Sequence, residues 1–127
     1  MVDWKLEVVV VPVADIDRAV SFYRDKAGFN LDHDTRVSEE IRVVQLTPRG
    51  SACSIVLGKG IPQAEPGTIK GLQLVVRDIE PARAELVERG VEVSEVQQVD
   101  PRDGGTFVFF SDPDGNEWAV QQYRGGN

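Results

Sequence analysis

One short pattern occurs twice along the chain. Residues 8–23 read VVVVPVADIDRAVSFY and residues 71–86 read GLQLVVRDIEPARAEL. Each copy is an apolar run, an Asp-Ile step (Asp15-Ile16, Asp78-Ile79), and a stretch with Ala three residues after the Ile. Each then meets a glycine, Gly28 or Gly90, before a new apolar segment begins. Self-similarity on this scale predicts two matching units that bury their apolar faces together. The space between the two units is then the place to look for a function.

The 127 residues fit a single domain. A chain of this length buries roughly 65–70% of its unfolded surface, so it needs neither a disulfide nor a structural metal to fold. Hydrophobic residues make up 41% and charged residues 28%, which suits a globular protein and excludes a membrane span, for which the apolar run from Val8 to Ala14 is far too short. A net charge of −7 and the lack of any basic run exclude nucleic acid as a partner. The single cysteine, Cys53, has no internal partner and reads as a small core residue. With no signal-peptide pattern at the N-terminus, this places the chain in a reducing cytoplasm.

Local patterns give the order βαβββ twice. Residues 5–13 form a strand covered on both faces. Asp15 caps a helix whose apolar positions Ile16, Ala19, Val20, Tyr23 and Ala27 fall at helical spacing, with Gly28 as its stop. Strands follow over 29–34, 40–47 and 52–57. Residues 58–68 contain Gly58, Gly60, Gly67, Pro62 and Pro66 and form the linker between the halves. In the second half, 71–76 is a strand and Asp78 caps a helix that tolerates Pro81 in its first turn. Val91, Val93 and Val96 alternate with polar residues, as in a half-exposed strand. A loop runs from Asp100 to Gly105 and carries Arg102. Residues 106–110 and 117–123 are strands around a tight turn, Asp112-Pro-Asp-Gly-Asn116.

Taken together, Pro12 to Phe29 and Phe109 to Asn116 resemble the glyoxalase / bleomycin-resistance / extradiol-dioxygenase superfamily, the vicinal oxygen chelate proteins. The resemblance runs from about Leu6 to Tyr123. It implies an α+β fold of two tandem βαβββ modules, about 5–60 and 69–124, whose curved mixed sheets form a cup with helices outside. It also implies a homodimer, with module exchange between chains left open.

The resemblance further implies four metal-ligand positions on the cup-lining strands. They fall here on Val8, Ser54, Gly71 and Ala119. Three of these offer no donor atom, and a serine hydroxyl is a poor ligand beside imidazole or carboxylate. His33, the one histidine, is flanked by Asp32 and Asp34, but strict alternation would send neighbours to opposite faces. Asp112-Pro-Asp-Gly lacks the spacing of a calcium loop, and Gly58-Lys59-Gly60 that of a phosphate loop. No catalytic residues, metal ligands or cofactor are assigned. The expected activity is the binding of a small aromatic or antibiotic-like molecule, as in bleomycin-resistance members. The lining candidates are Val8, Gln45, Ser54, Gly71, Gln73, Phe107, Phe109, Ala119 and Gln121. Of Phe107, Phe109 and Phe110, two are expected in the core, and Trp118 faces away from Ala119. The alternative is a lyase, isomerase or dioxygenase using ligands outside this set.

Overall fold

The computed structural model describes residues 1–100 and 105–123. Arg102, and with it most of the loop expected from Asp100 to Gly105, lies outside the described residues. The first module comprises β1 (Val8–Val10), α1 (Ile16–Ser21) running directly into a π-helical turn (Phe22–Lys26), β2 (Asn30–Arg36), β3 (Arg42–Thr47) and β4 (Ser54–Lys59). The second comprises β5 (Leu72–Val76), α2 (Ile79–Glu88), β6 (Gln97–Asp100), β7 (Gly105–Ser111) and β8 (Glu117–Gln122). The sheets are ordered β1-β4-β3-β2 and β5-β8-β7-β6. In each, the first strand runs parallel to the last and the remaining pairs are antiparallel. The α+β architecture of two βαβββ modules is therefore present, as two open four-stranded sheets.

The helices begin where the sequence marks them. Asp15 is extended and its carboxylate accepts the Arg18 amide at 3.1 Å, and Asp78 accepts from the Glu80 amide at 3.3 Å. The first helix then widens, because the Ala27 amide bonds to the Phe22 carbonyl, five residues back, at 2.9 Å. This wide turn presents the sequence neighbours Phe22 and Tyr23 to the interior together, and both are buried. Gly28 follows with φ +79°, a left-handed stop that an L side chain resists.

The helix-covered faces of both sheets contribute to one buried cluster. Val11, Val44, Leu46, Ile55 and Leu57 of the first module join Val108, Phe110, Trp118 and Val120 of the second. Tyr23 stands at the junction, its ring 5.8 Å from that of Trp118. Its hydroxyl donates to Asp112 Oδ2 at 2.7 Å and accepts from the Trp118 indole N–H at 2.9 Å. The closing turn of the second module is in turn sewn to the first. Asn116, fully buried, donates from Nδ2 to the Pro12 carbonyl and to Asp112 Oδ2, both at 2.8 Å. Asp114 accepts the Ala14 amide at 3.1 Å and the Arg18 guanidinium at 3.0 Å. The Asp112-to-Asn116 segment is a turn, as expected, but its side chains act as a clasp between modules.

Four local expectations are corrected. The strand expected over 5–13 shortens to Val8–Val10. Val11 adds one more ladder bond to Val56 at 2.9 Å, and Pro12, with no N–H, can add none. The strand expected over 52–57 runs instead from Ser54 to Lys59, which moves the linker's start to Gly60. Residues 91–96 are not a strand; the strand follows at Gln97–Asp100. Ser94 replaces the ladder there with two bonds to Phe109, its amide donating to the Phe109 carbonyl and its Oγ accepting the Phe109 amide, each at 2.9 Å. Val91 is pinned by a bond to the Leu86 carbonyl at 2.9 Å and is buried beside α2. Finally, Cys53 is half-buried at a cleft edge, outside the core cluster.

Candidate functional site

Strand register decides which side chains share a face. In the first sheet Val44, Leu46, Ile55 and Leu57 turn to the core. Their neighbours Gln45, Thr47, Ser54 and Val56 therefore turn to the helix-free face, joined by Val8, which pairs with Ser54. In the second sheet Val108, Phe110, Trp118 and Val120 turn inward. Gln73, Phe107, Phe109, Ala119 and Gln121 take the helix-free face, with Ala119 between Gln73 and Phe109 in register. Gly71 lies just before β5 at φ +90°.

The two helix-free faces differ in chemistry. The second is aromatic: Phe107 and Phe109 lie stacked, centroids 5.8 Å apart and planes 12° from parallel. Phe109 is 39% exposed. Only Phe110 of the three phenylalanines is in the core, because the odd positions of β7 pair with the outward Gln121 and Ala119. Beside the rings, Gln73 Nε2 donates to Gln121 Oε1 at 2.7 Å.

The first face is polar and is organised by a carboxylate absent from the sequence-derived candidates. Asp32 accepts from Asn30 Nδ2 at 2.9 Å, from Gln45 Nε2 at 3.1 Å, and from the Thr47 hydroxyl. The Thr47 hydroxyl also meets Ser54 Oγ at 2.6 Å. These bonds, that from Thr47 foremost, hold the Asp32 carboxyl below the ordinary carboxylate range. Simple alternation would have split Asp32 from His33. A register shift between Leu31 and His33 makes Asp32 the extra residue of a bulge. His33 then pairs with Gln45 while Asp32 bonds to that same glutamine. Asp34 does go to the other face, where it pairs with Arg42 at 2.7 Å. Thr47 could have been read from its place two residues after Gln45. Asp32 could not, because the bulge has no local signature.

The donor set does not fit a resident metal. Of the four positions implied by the resemblance, Val8, Gly71 and Ala119 have no side-chain donor, and the Ser54 hydroxyl is hydrogen-bonded to Thr47. Among the described residues no group of three or more His, Cys, Asp or Glu side chains could hold an ion. No helix of the described residues is long and apolar enough to cross a membrane.

A cleft of about 330 Å³ opens where the two modules meet, lined in part by Leu6, Val9, Cys53, Ser54, Gly71 and Gln73. Three of the nine sequence-derived candidates thus converge on one space within the chain. Val8, Gln45, Phe107, Phe109, Ala119 and Gln121 are not among its lining residues and lie on the open faces beyond it.

Comparison with known proteins places this arrangement. Residues 5–120 match the family model of the Glyoxalase/Bleomycin resistance protein/Dioxygenase superfamily. The chain is similar to TnmS3, an antibiotic binding protein from Streptomyces sp. CB03234, with 35% identity, a TM-score of 0.82, and 96% of this chain and 98% of that one covered. A glyoxalase/bleomycin resistance protein from the same organism is 36% identical, with a TM-score of 0.78 and coverage of 93% and 100%. The uncharacterized protein YetH of Bacillus subtilis (strain 168) is 27% identical over 116 residues, spanning 90% of this chain and 94% of that protein. With nearly its whole length matched and both βαβββ modules in place, the chain belongs to the Glyoxalase/Bleomycin resistance protein/Dioxygenase superfamily.

Proposed function

We propose that the protein binds a small aromatic or antibiotic-like molecule on its helix-free faces and does so without a metal. The observation that carries this reading is the loss of donor atoms at Val8, Gly71 and Ala119, which leaves an apolar, roomier lining where a chelating enzyme would place its ligands. Apolar area of this kind contributes roughly 25 cal/mol per Å² before the cost of association is subtracted. The stacked Phe107 and Phe109 offer a flat surface, and Gln73, Gln121 and the Asp32 network offer the few polar groups that fix orientation. Similarity to an antibiotic binding protein supports the same reading.

The second helix-free face is open in the single chain, with Val75 62% and Phe109 39% exposed. A homodimer that brings the helix-free faces together completes the proposed cup. The test is a thermal-shift and fluorescence screen against anthraquinones, glycopeptides and quinone-like compounds, run beside elemental analysis of the purified protein. Saturable binding by metal-free protein is the expected result. Stoichiometric iron, nickel, zinc or manganese would replace this reading with that of a metal-dependent lyase or oxygenase.

A further inference from the structure

We propose that the ligand is a planar aromatic bearing a protonated amine or a row of N–H donors, and that Asp32 is the acceptor that selects it. This deepens the binding reading above and rests on it. Strand register places Val8, Val10, Thr35, Val43, Gln45, Thr47, Ser54 and Val56 on the first helix-free face, with His33 and the bulged Asp32. No lysine or arginine is among them. Arg42 is turned to the opposite face, where it pairs with Asp34 at 2.7 Å and Asp17 at 2.9 Å, and Arg36 stands opposite Arg42 in register. On the second face Glu117 of β8 is already matched by Lys70 at 3.2 Å.

Asp32 is therefore the carboxylate of the first face without a cationic partner among the described residues; its one basic neighbour there is His33. Three side-chain donors fix its orientation. A carboxylate has about four lone-pair sites, so at least one still points at whatever approaches. The same bonds occupy the Thr47 hydroxyl hydrogen and one of the two Gln45 N–H donors, which leaves an anionic ligand fewer groups to bind. The complementary partner of this surface is a donor or a cation, and its aromatic body is received by Phe107 and Phe109.

Three acridines of similar shape test this by fluorescence titration at slightly alkaline pH: cationic 9-aminoacridine, neutral acridine and anionic acridine-9-carboxylate. We expect 9-aminoacridine to bind about tenfold or more tightly than the carboxylate, as a charge-assisted hydrogen bond would give. Asp32→Asn is expected to abolish that preference. Glu88→Gln, which changes net charge equally on exposed α2, is expected to leave it intact and so separates local recognition from the overall charge of −7. Equal binding of the three probes to the native protein, or a preference that survives Asp32→Asn, overturns the inference while leaving the binding reading standing. If no acridine binds, the aromatic reading fails as well. The native-protein comparison does not depend on any variant folding.

Discussion

Tyr23 shows how much one side chain decides here. Burial, then the adjacent charge and hydrogen bond of Asp112, push its phenol far above the ordinary tyrosine value. A pKa raised in the folded state means that the neutral form is the one folding favours. The stabilisation is therefore complete below about pH 10, where the unfolded phenol titrates, and is lost as pH rises above it. In a Tyr123→Phe variant, where Tyr23 is the one tyrosine left of two, phenolate absorbance should rise only with alkaline unfolding followed by circular dichroism. Tyr23→Phe should cost about 1–3 kcal/mol in urea denaturation, because Trp118 and Asp112 each lose a buried partner. Phe109, in contrast, is partly exposed and contributes little to the core. Phe109→Ala should leave the melting temperature nearly unchanged and weaken an aromatic ligand by roughly 0.5–1.5 kcal/mol in titration, the worth of one stacked ring beyond its area.

At the scale of elements, what could be read from the chain was what depends on neighbours in sequence. The Asp15 and Asp78 caps, the Gly28 stop and the alternation of β7 and β8 are of this kind, and they placed Gln73, Phe107, Phe109, Ala119 and Gln121 on one face. The bulge at Asp32 and the ladder-free segment around Ser94 depend on partners 13 to 15 residues away and were invisible to pattern. Gly67 belongs to the same class. It reads as linker punctuation, yet its φ is +77° and a Cβ there would run into the Asp114 carbonyl. Gly50 has a similar φ of +82° with open space around it. Gly50→Ala should therefore cost only the left-handed strain, about 1–2 kcal/mol, while Gly67→Ala should cost clearly more in the same urea melts because the clasp must shift. Equal losses would mean that the Asp114 contact is unimportant.

At the scale of the whole molecule, the shared core explains why the aromatic helix-free face stays open. Each module spends its apolar helix-covered face on the other, and α1 with its π turn fills the junction. The paired modules were legible because they repeat in sequence; how they dock was not, because Tyr23, Asp112 and Trp118 meet across separations of 89 and 95 residues. Light scattering coupled to size exclusion should report a dimer. A strictly monomeric protein would leave the proposed cup incomplete and move attention to the cleft between Ser54 and Gly71.

The clasp from Asn116 to Pro12, 104 residues apart, also sets a schedule. During synthesis the amino-terminal half must wait, its entry to α1 unsealed, until Asn116 has left the ribosome. Severed from its successor, that half should be a poor folder, and mixing it with a separately made carboxy-terminal half should restore solubility to both.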